Sequence, residues 1–246
     1  LRAPAGLSAA IEFRTVRKRY GRREVLRDLN LSVDRGQFYA LAGVNGAGKT
    51  TCIKALLDFV AIDSGQIEVF GISHRETLAR HPLAFVPERF LPPYYLTGWE
   101  FLRYTASLGA DRFDQRAAGE LCEQLDFALE ALERPVREYS KGMGQKLGLC
   151  ACFLRRKPLL ILDEPMSGLD PKARLLVKNH LKRLRETGIT VFFSTHMLSD
   201  VEDLCDEMGI LHGGELRFQG SPSRCREVFG EASIEAAYLR CIEAPG

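Results

Sequence analysis

The stretch Gly43-Val44-Asn45-Gly46-Ala47-Gly48-Lys49-Thr50 matches the spacing G-x-x-x-x-G-K-[S/T], which is typical of loops that bind phosphate groups. An apolar run at residues 37–42 precedes it, and residues 51–57 follow with apolar side chains at helical spacing. Glycines allow a backbone to wrap around a phosphate, and the first amides of the following helix point toward it. Because strand, loop and helix occur in this order, we expect a phosphate-binding loop rather than an ordinary glycine-rich turn beside a lysine. Lys49 would reach the β- and γ-phosphates, and the Thr50 hydroxyl would take one position around Mg²⁺.

Two carboxylates follow a second apolar run. Residues 159–162 predict a strand buried on both faces, and Asp163 and Glu164 come directly after it. Acids at the end of a buried strand are costly unless a cation lies near them or the strand end reaches solvent. With a phosphate loop upstream, we expect Asp163 to be an outer-sphere carboxylate of Mg²⁺ and Glu164 to take a proton from an attacking water.

The strand predicted at residues 190–195 ends on His196. A helix predicted at residues 172–186 connects it to the strand at 159–162, and such units return parallel through a right-handed crossover. Both strands would then end at the same edge of the sheet. A lone histidine is usually structural, but this placement predicts that His196 emerges at the same edge as Glu164 and contacts the γ-phosphate.

The composition limits the classes of partner. The 246 residues are enough for one large α/β domain, or for one core with an inserted lobe. The 34 Lys and Arg side chains nearly balance the 32 Asp and Glu side chains, which leaves a net charge of +2. We therefore expect no nucleic-acid partner, since binding through a basic surface has no support in this balance.

Neither the hydrophobic runs nor the cysteines indicate export of the chain. No stretch without Asp, Glu, Lys or Arg exceeds about thirteen residues, whereas a membrane-spanning helix needs roughly 20 mostly apolar residues. Residues 1–10 lack the long apolar centre of a secretory signal. The seven cysteines are scattered, and Cys150 and Cys152 would face opposite sides of a helix rather than one zinc ion. We expect reduced thiols in a cytosolic protein that does not cross a bilayer by itself.

The remaining patterns outline the parts around the core. Alternating residues at 11–16 and 25–33 predict two antiparallel strands. Tyr20, between them, is either a strand-end aromatic that covers the core or a platform for an adenine ring. Residues 87–156 contain helical patterns and no strand candidate, which predicts an inserted helical lobe. Ser140-Lys141-Gly142 comes just before its last predicted helix and is either a helix cap or a contact for an anion.

The order and spacing of these motifs resemble the nucleotide-binding subunit of ATP-binding cassette (ABC) transporters over residues 11–225. The phosphate loop is followed by a helical region, a signature at residues 139–143, Asp163-Glu164-Pro165, a Ser-Gly-Leu-Asp turn at 167–170 and a switch histidine. The resemblance implies an α/β fold of the P-loop NTPase class. That fold has a RecA-like parallel core, an N-terminal antiparallel β subdomain and an inserted α-helical subdomain.

The resemblance also divides the chain and assigns its ligands. The core would comprise residues 11–86 and 157–225, with a helical subdomain at about 87–156 and a C-terminal helical tail at 226–246. The ligands would be ATP and Mg²⁺, with Glu164 and His196 as catalytic residues and Thr50, Asp163 and Glu88 at the metal. The residues implied in nucleotide binding are Tyr20, Gly43, Asn45, Gly46, Ala47, Gly48, Lys49, Thr50, Thr51, Glu88, Ser140, Gly142 and Asp170.

Family members work as pairs, which implies the partners of this chain. Two copies, expected to be identical, would enclose two ATP molecules head to tail, and Ser140 and Gly142 of one copy would contact the ATP of the other. ATP then favours the closed dimer and hydrolysis removes that preference. The resemblance therefore implies a homodimer at the cytoplasmic face of the membrane that drives a separate integral-membrane permease.

Three positions in two motifs depart from the family pattern. Glu88 occupies a position that is usually Gln, and Lys141 and Met143 replace the first Gly and the Gln of the signature. Both Glu and Gln can offer an oxygen to Mg²⁺ or water, so we expect retained function with altered coupling. These forms are similar to those of bacterial exporters whose six-helix permeases are encoded separately.

A second hypothesis is a non-transport ABC-type ATPase in DNA repair or translation. Such proteins carry long coiled-coil insertions or two cassettes, and this sequence contains neither. A GTPase would need an Asn-Lys-x-Asp motif, which is absent. Under the transport hypothesis, Tyr94, Tyr95, Trp99 and Phe101 either form a groove for a permease helix or fill the core of the lobe.

Overall fold

The computed structural model describes residues 9–109 and 112–244, and two β-sheets organise them. The first is an antiparallel sheet in the order β2-β1-β4-β5. Its strands are β1 (Ile11–Tyr20), β2 (Arg23–Val33), β4 (Ser64–Val69) and β5 (Ile72–Ser73). Strand β1 runs four residues past the predicted end, because its pairing with β2 continues to Tyr20 opposite Arg23. The predicted N-terminal β unit is therefore completed by two strands that follow the phosphate loop.

The second sheet has six strands in the order β10-β9-β3-β8-β7-β6. Strands β9, β3, β8, β7 and β6 are parallel, and β10 pairs antiparallel with β9 at the edge. Its strands are β3 (Phe38–Ala42), β6 (Leu83–Val86), β7 (Leu159–Asp163), β8 (Thr190–Thr195), β9 (Glu207–His212) and β10 (Glu215–Gly220). Parallel order places the carboxyl ends of β3, β6, β7 and β8 at one edge. This arrangement confirms the predicted P-loop NTPase fold.

Helices cover the parallel sheet, and those between β6 and β7 form the helical lobe. The lobe contains α2 (Gly98–Ser107), α3 (Gln115–Gln124), α4 (Leu129–Leu132) and α5 (Lys141–Leu154). The other helices are α1 (Lys49–Leu56), α6 (Pro171–Arg185), α7 (Leu198–Leu204), α8 (Pro222–Phe229) and α9 (Ile234–Glu243). Thr97 caps α2, since its side chain accepts from the Glu100 amide while the Glu100 carboxylate accepts from the Thr97 amide. Helix α5 begins at Lys141, because Ser140 provides its N-cap, whereas the apolar pattern of the sequence predicts a start at Gln145.

The central strands are buried on both faces, as their continuous apolar runs predict. Phe38, Ala40 and Ala42 of β3 belong to the core shared with the helical lobe. Tyr39 and Leu41 of the same strand face the core shared with α1 and the antiparallel sheet. The period-2 alternation of a strand thus divides one apolar run between two cores.

Three further features concern the sequence-based expectations. The seven cysteines are free thiols, of which six are buried and Cys205 is half-buried. Within the described ranges, no cluster of three or more His, Cys, Asp or Glu side chains is placed to hold a metal. In the same ranges, no helix has the length and apolar character needed to span a bilayer. Most of the N-terminal segment tested for a secretory signal, residues 1–8, lies outside the described residues.

Candidate active site

A cleft lies at the carboxyl edge of the parallel sheet, and the segments that follow strands β3, β6 and β7 line it. We call it the edge cleft; its volume is about 440 Å³. The phosphate loop follows β3, Glu88 follows β6, Glu164 follows β7, and Tyr20 ends β1 at its mouth. The lining residues are Tyr20, Arg23, Val25, Val44, Asn45, Gly46, Gly48, Lys49, Thr50, Thr51, Glu88 and Glu164.

The phosphate loop leaves a helix N-terminus free to bind an anion. Gly48 is the N-cap of α1 with φ 113°, and no side chain caps the first turn. A Cβ at Gly48 would lie 2.9 Å from the carbonyl oxygen of Val25, so both the backbone angle and the space favour glycine. The Lys49 ammonium turns back and donates to the Gly43 carbonyl at 2.6 Å. The loop thus presents amides and one buried cation to the cleft.

Asp163 lies next to Thr50 of the edge cleft, between two hydroxyls. Ser194 Oγ donates to Asp163 Oδ1 at 2.5 Å, and Thr50 Oγ1 lies 3.4 Å from the same oxygen. Burial raises the pKa of the Asp163 carboxyl, while the hydrogen bonds from Ser194 and Thr50 act in the opposite direction. A hard cation next to Asp163 and Thr50 would relieve this burial of charge, so the donor set fits Mg²⁺.

Glu164 lies between the phosphate-loop lysine and the predicted histidine. Its Oε1 is 3.3 Å from Lys49 Nζ, and its Oε2 is 2.9 Å from His196 Nδ1. Oε1 is buried and forms no hydrogen bond with any described residue, which leaves it available to a ligand such as water. The backbone of Glu164 has φ 47°, a left-handed conformation that is costly for this residue type and is often found at functional sites. The prediction that Glu164 and His196 emerge at the same edge of the sheet is confirmed.

Two residues lie at the mouth of the cleft: Tyr20, which the sequence predicts as a site residue, and Arg23, which it does not. Tyr20 is 47% exposed, with the Lys18 ammonium 5.0 Å from its ring centre. Arg23 lines the cleft and lies 3.5 Å from the Gly46 carbonyl oxygen. Nothing in the sequence distinguishes Arg23 from the neighbouring Arg22, because only the hairpin turn between β1 and β2 decides which of them faces the loop.

Several predicted residues do not line the edge cleft. Gly43, Ala47, Asp163 and His196 adjoin or contact residues that do, whereas three others belong to different helix starts. Ser140 and Gly142 are at the start of α5, where the Ser140 hydroxyl accepts from the Met143 amide at 3.2 Å. Asp170 caps α6 by accepting from the Ala173 amide at 2.9 Å. None of the three is among the residues that line the cleft.

A second depression, the lobe groove, adjoins the edge cleft through Glu88. Its volume is about 600 Å³, and its lining includes Glu88, Phe90, Leu91, Tyr94, Tyr139 and Ser140. Tyr94 and Tyr95 are 69% and 66% exposed, whereas Trp99 and Phe101 are buried in the lobe. Trp99 and Phe101 therefore belong to the core of the lobe, whereas Tyr94 lines the lobe groove.

Comparisons with known proteins place these motifs in a family. The sequence profile of the ABC transporter family matches residues 26–167. An uncharacterised ABC transporter ATP-binding protein of a Synechocystis strain is 39% identical over 203 residues, or 80% of this chain and 57% of that protein. A bacitracin transport ATP-binding protein of Enterococcus faecalis is 36% identical over 214 residues, or 84% of this chain and 67% of that protein. The chain thus spans little more than half of the first of these relatives.

Solved structures give the same assignment. The ATP-binding subunit of an ABC transporter aligns with a TM-score of 0.84 at 31% identity, over 94% of this chain and 99% of that one. A dimeric ATP-binding cassette bound to ADP and phosphate aligns with a TM-score of 0.78 at 20% identity, over 86% of this chain and 98% of that one, and so shares the fold. Since the family profile covers more than half of the sequence and includes both the phosphate loop and Glu164, this chain belongs to the ABC transporter family.

Proposed function

We propose that this chain is an ATP-hydrolysing subunit that drives conformational change in a separate membrane permease, in the direction of export. The observation that carries the proposal is the position of Glu164, held between Lys49 and His196 at the end of a buried strand. A carboxylate placed there can orient water toward a phosphate bound by the phosphate loop.

The residues of the edge cleft would divide the chemistry among them. Lys49 and the loop amides bind the β- and γ-phosphates, which draws the ammonium away from the Gly43 carbonyl. Mg²⁺, when bound, neutralises charge that develops on the phosphate oxygens. Thr50, Asp163 and Glu88 would hold it, while Glu164 accepts a proton from water and His196 contacts the γ-phosphate.

ATP binding would use both the phosphate loop and the mouth of the cleft. The aromatic face of Tyr20 is exposed enough to stack on adenine, and Arg23 lies near enough to the loop to contact the nucleotide. The backbone of residues 43–51 would contribute the phosphate contacts through Gly43, Asn45, Gly46, Ala47, Gly48 and Thr51.

A dimer would supply what one edge cleft lacks. Ser140, Gly142 and Asp170 lie outside the cleft of their own chain, so we propose that they act at the ATP of a second copy. Binding of ATP by both copies then favours the closed dimer, and hydrolysis removes that preference. The proposal includes a core at residues 11–86 and 157–225, a helical subdomain at about 87–156 and a tail at 226–246.

The lobe groove is the proposed contact with the permease. The exposed ring of Tyr94 lines it, with the ring of Tyr95 5.5 Å from that of Tyr94, and Glu88 lines both the groove and the edge cleft. A permease segment in this groove could therefore respond to nucleotide through Glu88. This arrangement would place the protein at the cytoplasmic face of the membrane.

Two measurements test the proposed function. The purified protein should hydrolyse ATP in the presence of Mg²⁺, and the Lys49→Ala variant should not. The tagged protein, purified from native membranes in mild detergent, should bring a polytopic membrane protein with it. Recovery without any membrane protein, or together with ribosomes or DNA, would favour a non-transport ATPase instead.

A further inference from the structure

Helix α5 contacts the turn after Glu164 at successive positions along its first two turns. Lys141 Nζ donates to Ser167 Oγ at 3.2 Å. One residue later, a Cβ at Gly142 would lie 3.0 Å from the carbonyl oxygen of Gly168, so the backbones are in close approach. Gln145, which is 3% exposed, donates to the Pro165 carbonyl at 3.0 Å. The helical lobe and residues 165–168 are therefore joined by two side-chain hydrogen bonds and one close backbone approach.

The turn is shaped to receive the lysine. Gly168 has φ +78°, and a Cβ there would lie 2.9–3.2 Å from three carbons of the Lys141 side chain. Any larger residue at position 168 would displace the lysine stem, apart from the strain of the backbone angle. Lys141 forms no ion pair with a described residue, so the Ser167 hydroxyl is the acceptor that fixes its ammonium.

The position of this lysine is electrostatically unfavourable for the helix. Lys141 is the first residue of α5, and the first turn of that helix contains no acidic residue. A cation at a helix N-terminus opposes the helix dipole, so a lysine there does not stabilise α5 itself. The stability of the helix does not explain why a lysine occupies this position. A stabilising contact between Lys141 and the turn would explain it.

The contact leads directly to the backbone of Glu164. The amide of Ser167 donates to the carbonyl oxygen of Glu164 at 3.0 Å, which closes the turn that holds Glu164 in its left-handed conformation. Lys141 fixes the side chain of the same serine. One lysine thus connects the signature to the backbone of Glu164 through a single residue.

We propose that Lys141 is a positioning residue that ties the signature helix to the Ser167 turn and thereby helps to hold the backbone of Glu164. This inference rests on the proposed ATPase function for its kinetic consequence, but the contact itself exists without nucleotide. Binding of a second copy's ATP at Ser140 would then be transmitted to the orientation of Glu164 in the same chain.

A double-mutant cycle tests the contact. Lys141→Met keeps the stem and removes the ammonium, and Ser167→Ala removes its acceptor. Loss of one such hydrogen bond should lower kcat roughly 3- to 10-fold with little change in KM for ATP. The double variant should be no slower than the slower single variant, and Lys141→Arg should recover part of the rate. The proposal would be overturned if the fold-decrease in kcat of the double variant equalled the product of the two single decreases. An unchanged kcat in Lys141→Met would overturn it as well.

Amide hydrogen exchange separates this inference from the proposed function. In the nucleotide-free protein, residues 164–169 should exchange faster in Lys141→Met and in Ser167→Ala than in the wild type. Lys182→Met, an exposed lysine on α6, is the matched control and should leave this segment unchanged. If the wild type had no ATPase activity but the two variants still exchanged faster than it at residues 164–169, the proposed function would be wrong and the contact would be supported. Identical exchange in all variants would refute the contact regardless of activity.

Discussion

Nδ1 of His196 lies 2.9 Å from Oε2 of Glu164, although 32 positions separate them in the chain. Parallel strands β7 and β8 bring them together, since each residue directly follows its strand. The pairing leaves the other carboxylate oxygen near Lys49. Nucleotide would have to compete with Glu164 for that lysine, which links binding to the freedom of the proposed base.

We predict that Glu164→Gln lowers ATP turnover by roughly 10²- to 10⁴-fold, because the amide cannot accept the proton of water. ATP should still bind and should hold two copies together, which size-exclusion chromatography with Mg²⁺-ATP would detect. Glu186→Gln, at an exposed position after α6, is the control and should keep wild-type turnover. Normal turnover in Glu164→Gln would remove Glu164 from the role of base.

Replacement of Ser140 by Ala should abolish cooperative hydrolysis while leaving the ATP affinity of the monomer nearly intact. Ser140 also caps α5, and loss of a cap costs about 1 kcal/mol of stability. Ser221→Ala removes the equivalent cap of α8 and is therefore the matched control, which should keep cooperativity. The assay is initial rate against protein concentration. A parallel loss of monomer binding in Ser140→Ala would place the serine in the cleft of its own chain.

For Tyr20→Ala we expect ATP to bind about 1 kcal/mol more weakly, through loss of stacking on the adenine. Tyr20→Phe should retain most of the affinity, since the ring remains. Tyr104→Ala, a similarly exposed tyrosine on α2, controls for loss of surface aromatic area. Titration calorimetry with a slowly hydrolysed ATP analogue gives the affinities. Equal affinity in Tyr20→Ala and the wild type would leave Tyr20 as a strand-end residue only.

Asp200→Asn should lower the stability of the whole domain. The buried Asp200 carboxylate lies 3.1 Å from Arg174 and 2.8 Å from Lys178, which connects α7 to α6. Breaking a buried pair costs about 3 kcal/mol, equivalent to roughly 6–12 °C in Tm for a domain of this size. Asp203→Asn removes an exposed carboxylate from the same lysine and should change Tm little. Equal Tm shifts in the two variants would argue against a special role for the buried site.

His180→Leu should make stability less sensitive to acid. Burial lowers the pKa of His180 to about 4, with a smaller contribution from Arg183, and neither ring nitrogen has a hydrogen-bond partner among the described residues. A histidine with a lowered folded-state pKa favours unfolding when it is protonated, so its stabilising contribution is lost as pH falls from about 6.5 to 4. The difference in Tm between pH 7.5 and pH 4.5 should therefore be smaller in His180→Leu than in the wild type. An unchanged difference would contradict the assignment.

Much of the candidate site follows from local patterns because its residues occupy strand ends. Lys49, Glu164 and His196 each come after an apolar run short enough for a buried strand, and parallel topology places such ends together. The Ser-x-Gly pattern likewise indicated a helix start near Ser140, although the helix was predicted to begin four residues too late. These features depend on sequence neighbours only.

Contacts between distant segments could not be predicted in this way. The Lys141–Ser167 hydrogen bond spans 26 positions, and nothing near either residue indicates it. The positive φ of Glu164 is likewise imposed by tertiary contacts, since glutamate has no local preference for that conformation. These contacts are the turn itself and the hydrogen bond that the Glu164 backbone N–H donates to Ser194 Oγ at 2.9 Å. Helix α7 was also not predicted: Leu198, Val201 and Leu204 have helical spacing, but seven residues are too few for a clear pattern.

The buried cysteines have a practical consequence. Burial raises the pKa of the Cys152 thiol to about 12 and those of Cys225 and Cys241 to about 11, and the thiolate is the form that reacts. Maleimide or methanethiosulfonate probes should therefore modify these native positions slowly. A cysteine introduced at the exposed Leu175 on α6 can carry a fluorophore or spin label while the natural cysteines are retained. Spectroscopic distances between two labelled copies then become measurable in an otherwise unaltered sequence.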